Sequence, residues 1–222
     1  KNSAKYLAQA FEIKPDHLSI ANSLAVSYMN LGEFDKALEV LEKILKVDEN
    51  NSLTLYNFGI CYQTMGDFKK ALEFFQKSYQ IEPSITMLVS LASCALNAGE
   101  NTLAATLYQN LVMAYPNNSS YRLALAEAQE KIENYQEAFD NIKQLLALDE
   151  KNIDLTKRKG ALLRKLKRYE ESVETFNVLL KRGKIDVEVY YNLAFNYVEL
   201  GDFDKACEMF KKCIMLEPNN PY

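Results

Sequence analysis

The spacing of a few glycines and prolines constrains this chain more than any other feature. Gly66, Gly99 and Gly201 each precede a proline by 17 residues, at Pro83, Pro116 and Pro218, and Gly32 opens the same interval, which closes at Glu49. Equivalent residues recur at intervals of 33 or 34. A fixed period of that length belongs to an array of like supersecondary units, each unable to bury its apolar face alone. Set on these marks, the chain divides into units 18–51, 52–84, 85–118, 119–152, 153–186 and 187–220. Residues 1–17, ending near Pro15, fit the second half of a truncated unit, and 221–222 are a tail. With no segment left over, 1–222 is expected to be a single domain.

Counting from the first residue of each unit, positions 4, 7, 8 and 11 are apolar or small, the periodicity of a buried helix face. The unit from 52 supplies Leu55, Phe58, Gly59 and Tyr62; the last supplies Tyr190, Leu193, Ala194 and Tyr197. A glycine or polar turn follows. Position 17 is aromatic in five units (Phe34, Phe68, Tyr135, Tyr169, Phe203). Position 20 is small throughout (Ala37, Ala71, Ala104, Ala138, Ser172, Ala206), and position 24 is large (Leu41, Phe75, Tyr108, Ile142, Phe176, Phe210). Two helices that pack closely, and then pack on the next pair, need small residues where backbones approach.

These residues resemble the tetratricopeptide repeat family, whose pattern is a 34-residue helix-turn-helix with L-G, Y, A, F and P at these places. The resemblance covers all but the last two residues. It implies an all-α fold: a right-handed superhelical solenoid of helix-turn-helix units. The chain departs from the pattern in having no tryptophan at position 4 and in carrying Glu49, Glu150 and Lys184 where proline is usual. The unit from 153 departs furthest, with Lys159 at an inward position.

The composition removes several function classes. His17 is the only histidine, so a two-histidine metal site lacks its residues and a Ser-His-Asp or Cys-His site has no histidine to spare. Adjacent carboxylates such as Glu170 and Glu171 read as helix-surface charge. The four cysteines lack C-x-x-C spacing and occupy positions 10 (Cys61, Cys94), 21 (Cys207) and 27 (Cys213), where small or apolar side chains are expected to pack. Packed, reduced thiols point to a cytoplasmic setting. The formal net charge of −4 disfavours nucleic acid as partner. The stretch from Met87 to Leu96 is too short to cross a bilayer. No catalytic residue, metal site or cofactor is expected.

What the resemblance implies is a concave groove lined by positions 2, 5, 6, 9, 12 and 13 of each first helix, where a segment of a partner protein binds. On this sequence the groove candidates are Asn22, Met29, Tyr56, Asn57, Gln63 and Asn97, then Lys157, Arg158, Arg164, Lys165, Tyr191, Asn192 and Phe195. Amides at such positions can donate to and accept from a peptide backbone; the same residues can also be merely solvated surface. The carboxylate clamp of chaperone-binding members is matched at one residue of five, Asn57, and is rejected. The unit 153–186 holds ten Lys/Arg against five Asp/Glu, seven of the bases lying between Lys157 and Arg168. Two readings stand: recognition of an acidic or phosphorylated segment, or internal pairing with Glu127, Glu130 and Glu188. By contrast, Glu100 is the only charge in 85–118, which reads as a contact patch or as a well-buried unit.

The chain begins in mid-unit and ends without a polar cap, so self-association through uncovered ends, or membership of a longer protein, is expected. The function expected is a non-catalytic protein-protein interaction scaffold. The competing reading is the substrate-recruiting region of an enzyme whose catalytic domain lies outside this chain.

Overall fold

The computed structural model describes residues 2–15, 17–184 and 186–217, which form thirteen α-helices and no strand. The expected end of the last unit at 220, its Pro218 and the tail 221–222 lie outside the described residues. The chain forms two compact bodies, residues 1–108 and 109–222. The first contains α1 (Asn2–Ile13), α2 (Leu18–Asn30), α3 (Phe34–Val47), α4 (Ser52–Thr64), α5 (Phe68–Ile81) and α6 (Ile85–Ala98). The second contains α8 (Ser119–Lys131), α9 (Tyr135–Leu148), α10 (Ile153–Lys165), α11 (Tyr169–Lys181), α12 (Val187–Glu199) and α13 (Phe203–Leu216). The division falls within α7 (Asn101–Ala114).

The helix starts follow the sequence period. Every first helix begins at position 1 of its unit and every second helix at position 17. The residue before the first helix caps it in five units: Asn51, Ser84, Asn118, Asn152 and Asp186 each accept a hydrogen bond from a backbone N–H of the first turn. Between the two helices the chain must turn through the left-handed region, and Gly66 (φ 85°) and Gly99 (φ 82°) do so where a side chain would be strained. In the two units without this glycine, Glu133 (φ 62°) and Lys167 (φ 59°) adopt the same conformation. The turn is retained against local preference because the helices on either side fix it.

Within each body, consecutive helices pack in chain order, and the first helices of successive units also meet, α2 with α4 and α10 with α12. The core is built on the predicted positions together with position 27, where Ile44, Leu145 and Leu179 are buried. Ala37, Ala71, Ala138 and Ser172 at position 20 are fully buried, as are Leu41, Phe75, Ile142 and Phe176 at position 24. The reason for glycine at position 8 is steric: a Cβ on Gly59 would lie 2.6 Å from the Phe75 ring, and one on Gly160 would lie 2.5 Å from Phe176. Where position 8 is alanine, position 24 carries Leu41 or Ile142 in place of phenylalanine, Tyr108 buried, or Phe210 in a half-buried pose.

The 153–186 unit folds as its neighbours do despite its polar substitutions. Ser172 replaces alanine at position 20; its hydroxyl donates to the Gly160 carbonyl (2.7 Å) and accepts from Asn196 (2.7 Å). Lys159 at the inward position is half-buried. The apolar unit 85–118 buries Leu91, Ala92, Cys94 and Ala95, but leaves Ile85 exposed. The cysteine expectation holds for Cys61 and Cys94, both fully buried, whereas Cys207 is exposed and Cys213 half-buried. Position 21 faces outward on α13, which the small size of the residue did not reveal.

Candidate partner-binding faces

In the first body the groove positions are where one first helix meets the next. Asn22 on α2 accepts a hydrogen bond from Asn57 Nδ2 on α4 (2.8 Å) and donates to the Leu18 carbonyl and to Thr54 Oγ1. Both asparagines are buried, so much of their polar capacity serves the helix junction. They nonetheless edge a depression of about 360 Å³ together with Ser23, Val26 and Leu53. Tyr56 on α4 shares a hydrogen bond with Ser90 on α6 (3.0 Å), and its ring packs 5.4 Å from Phe75. Met29 and Gln63 are half-buried and Asn97 is exposed. This face is neutral and amide-rich, as the sequence indicated.

The second body carries the charge. Lys157 on α10 is bound by Asp186 and by Glu188 (2.9 Å) on α12. Burial lowers its pKa and is the largest single influence, yet the hydrogen bonds from the two carboxylates together hold it above the ordinary lysine value. Arg158 is paired with Glu130 on α8, both side chains half-buried. Arg168 forms two hydrogen bonds to Glu171 (2.7 Å each) and holds that carboxyl below its usual range. The internal-pairing reading therefore accounts for two of the seven clustered bases, Lys157 and Arg158, and a pair within the unit, to Glu171, accounts for Arg168. Glu130 and Glu188 act as expected; Glu127 instead pairs with Lys131 on its own helix (3.6 Å), and Asp186 is an additional partner.

Lys159, Arg164, Lys165 and Lys167 have no carboxylate within ion-pair distance among the described residues. Arg164 lies over the Phe195 ring at 5.8 Å and Lys165 over Tyr135 at 5.6 Å. Phe195 in turn packs 4.6 Å from Tyr191 and edge-on to Phe210 at 5.6 Å. Asn192, beside them on α12, is buried and donates to the Glu188 carbonyl. The structure thus brings Arg164, Tyr191 and Phe195 into one cluster, and keeps Lys157 and Arg158 in separate ion pairs. Nearby, a depression of about 430 Å³ between α8, the end of α9 and the start of α10 is lined by Leu123, Leu148, Leu155 and Arg158.

Sequence reasoning missed Thr54 and Asp186. Asp186 was legible as an acidic residue just before a helical apolar pattern, the signal of an N-cap. Thr54 was not, because besides its local bonds to Asn51 its partner Asn22 lies on a helix one period away. Among the described residues, no group of three His, Cys, Asp or Glu side chains is placed to hold a metal ion, and no helix is long and apolar enough to cross a membrane.

Comparison with known proteins agrees with this architecture. Tetratricopeptide repeat models match residues 16–82, 89–153 and 187–220. The chain is 25% identical over 220 residues to the Hsp70-Hsp90 organizing protein of Triticum aestivum, a match covering 98% of this chain and 32% of that protein. In fold it is similar to a chain of a solved structure of Naa15/Naa10 bound to HypK-THB, with a TM-score of 0.70, 17% identity, and coverage of 98% of this chain and 34% of that one. A tetratricopeptide repeat protein of Parabacteroides merdae matches with a TM-score of 0.60 at 15% identity, covering 98% of this chain and 86% of its own. The segment 154–186, between two matched stretches, forms the same hairpin as the rest. On the three matched segments and the repeating helix pairs, the chain belongs to the tetratricopeptide repeat family.

Proposed function

We propose that this chain is a non-catalytic protein-protein interaction scaffold, that 1–222 works as one domain, and that it holds a segment of a partner protein along its first helices. The observation that carries the reading is the division of labour at the groove positions. Asn22, Asn57, Lys157 and Arg158 are bonded within the stack, while Gln63, Asn97, Arg164, Lys165 and Tyr191 keep polar or aromatic groups free of such bonds. The unpaired bases around 157–168 favour an acidic segment in the second body. The wheat relative's name points to chaperones as partners, but the clamp residues for a chaperone tail are missing here, so that partner is not carried over. Four unpaired thiols are consistent with a cytoplasmic setting.

The test is affinity capture of a partner from cell extract by wild type, by a groove variant (Gln63→Glu, Asn97→Lys, Tyr191→Ala) and by an outer-face variant (Lys43→Glu, Lys143→Glu). Loss of the partner in the groove variant alone supports the reading. Loss in the outer-face variant alone removes it.

Self-association is supported by α13, on which Phe203, Ile214 and Met215 are exposed, Met215 at 78%. Sedimentation of wild type against Met215→Glu checks this: a dimer that the substitution dissolves is expected, and a wild-type monomer at high concentration refutes it.

A further inference from the structure

The second body contains an arginine whose hydrogen-bonding capacity is unused. Arg164 Nε is shielded from solvent and has no acceptor among the described residues. A buried donor left in that state is destabilising, so a native structure that retains one needs a reason. The guanidinium is held in place by the Phe195 ring beneath it, a stacking that fixes the group with Nε covered and leaves its terminal N–H groups available. Tyr191, 39% exposed, continues the aromatic surface from Phe195. Ion pairs account for Lys157, Arg158 and Arg168; of the four bases without a carboxylate, Arg164 is the one stacked on Phe195, while Lys165 lies over Tyr135.

Resting on the groove reading above, we propose that Arg164, Tyr191 and Phe195 form a subsite for a peptide carboxylate flanked by an aromatic or large apolar side chain. An Asp or Glu of the partner accepts from the terminal N–H groups of Arg164, and the neighbouring side chain packs on Tyr191. The complementarity favours a single negative charge over a phosphate. Only one guanidinium is unpaired here, α12 bears Glu188 and Glu199, and the other arginines of the cluster are already neutralised. A doubly charged phosphate is best met by more than one guanidinium, and the free Lys165 lies over Tyr135 rather than on this aromatic cluster.

The experiment selects peptides from a displayed library of random 12-mers on the intact chain and measures the synthesised winners by fluorescence anisotropy. Winners with Asp or Glu within two residues of Phe, Tyr, Trp or Leu are expected. Their affinity should fall about tenfold or more with Arg164→Gln, the size of a lost hydrogen bond to a charged group. Tyr191→Ala should weaken them severalfold, and Lys184→Gln, at an exposed position outside the cluster, should leave them unchanged. Arg164→Lys keeps the charge without the planar fork and should also bind weakly; it replaces Arg164→Gln as the test if that variant fails to show a native helical spectrum. Phosphorylating a serine in place of the acidic residue should not strengthen binding. Winners without acidic residues, or winners indifferent to both Arg164 variants, overturn the proposal. If such winners are displaced by Gln63→Glu and Asn97→Lys, the groove reading survives without this subsite. A library that yields no winners removes both.

Discussion

Two residues adopt a conformation to which they are poorly suited. Glu133 and Lys167 stand where the other four full units have glycine, and both retain the positive φ of the turn. The left-handed conformation costs an L-residue about 1–2 kcal/mol. Glu133→Gly and Lys167→Gly are therefore each expected to raise stability by about 1 kcal/mol, after allowing for the added freedom of glycine in the unfolded chain. Urea denaturation checks this, and an unchanged or lowered midpoint in both variants refutes it. The position of the turn was legible in the sequence because Gly66 and Gly99 mark it; the strain at Glu133 was not, since propensity alone places no glutamate there. Cys94 gives a second prediction at this scale. Burial pushes its thiol from an ordinary 9.0 up to about 11. As pH rises past 9 the unfolded chain releases this proton while the folded chain keeps it, so ionisation favours unfolding. The stability associated with this group is complete below pH 9 and is lost between 9 and 11. Cys94→Ala should therefore show a shallower fall in denaturation midpoint from pH 8.5 to 10.5 than wild type; equal slopes would refute it.

At the scale of the element, the hairpins share one device at the turn, reversed in one unit. Glu33, Asp67 and Asp202 precede their second helices and bind Lys36, Lys70 and Lys205 one turn on. Each lysine also lies over a first-helix tyrosine, Tyr28, Tyr62 or Tyr197, at 5.1 to 5.6 Å. Before α11 the charges are exchanged, Arg168 binding Glu171, and the arginine stacks on Phe139 of the preceding unit at 4.9 Å. Pairs this exposed contribute little individually; the caps of the first helices matter more. Asp186 combines the two roles, accepting from Val189 N (2.9 Å) and binding Lys157. Asp186→Ala should cost about 1–2 kcal/mol, the usual value of a cap. Asp186→Asn retains the acceptor and loses only the ion pair, so it should cost less than about 1 kcal/mol. Thermal melts of the two variants separate the contributions, and equal losses would mean that the cap is not what Asp186 supplies.

For the molecule as a whole, the repeat period made the fold legible because each unit poses the same packing problem. Position 8 against position 24 is solved by alanine with leucine or isoleucine in two units and by glycine with a fully buried phenylalanine in two, while Ala92 with Tyr108 and Ala194 with Phe210 admit an aromatic beside alanine. The candidate site was legible only as a set of positions. Which cations are spent and which are free depends on carboxylates about thirty residues away, such as Glu188 for Lys157 and Glu130 for Arg158, and no local pattern encodes that pairing. The same neighbour-to-neighbour logic governs how damage spreads. Because adjacent hairpins within each body pack on one another, stability in such an array is the sum of local terms and nearest-neighbour interfaces. Gly160→Ala drives a Cβ into the Phe176 ring and should cost about 1–3 kcal/mol. Amide exchange should accelerate in α10 and α11 and in the adjoining α9 and α12, while α2 to α5 keep their protection. The double variant Gly160→Ala, Phe176→Leu, which imitates the alanine-with-leucine solution of the first unit, should recover much of the loss. Exchange that accelerates evenly from α2 to α13, or a double variant no better than the single one, would show that the hairpins are not coupled in this way.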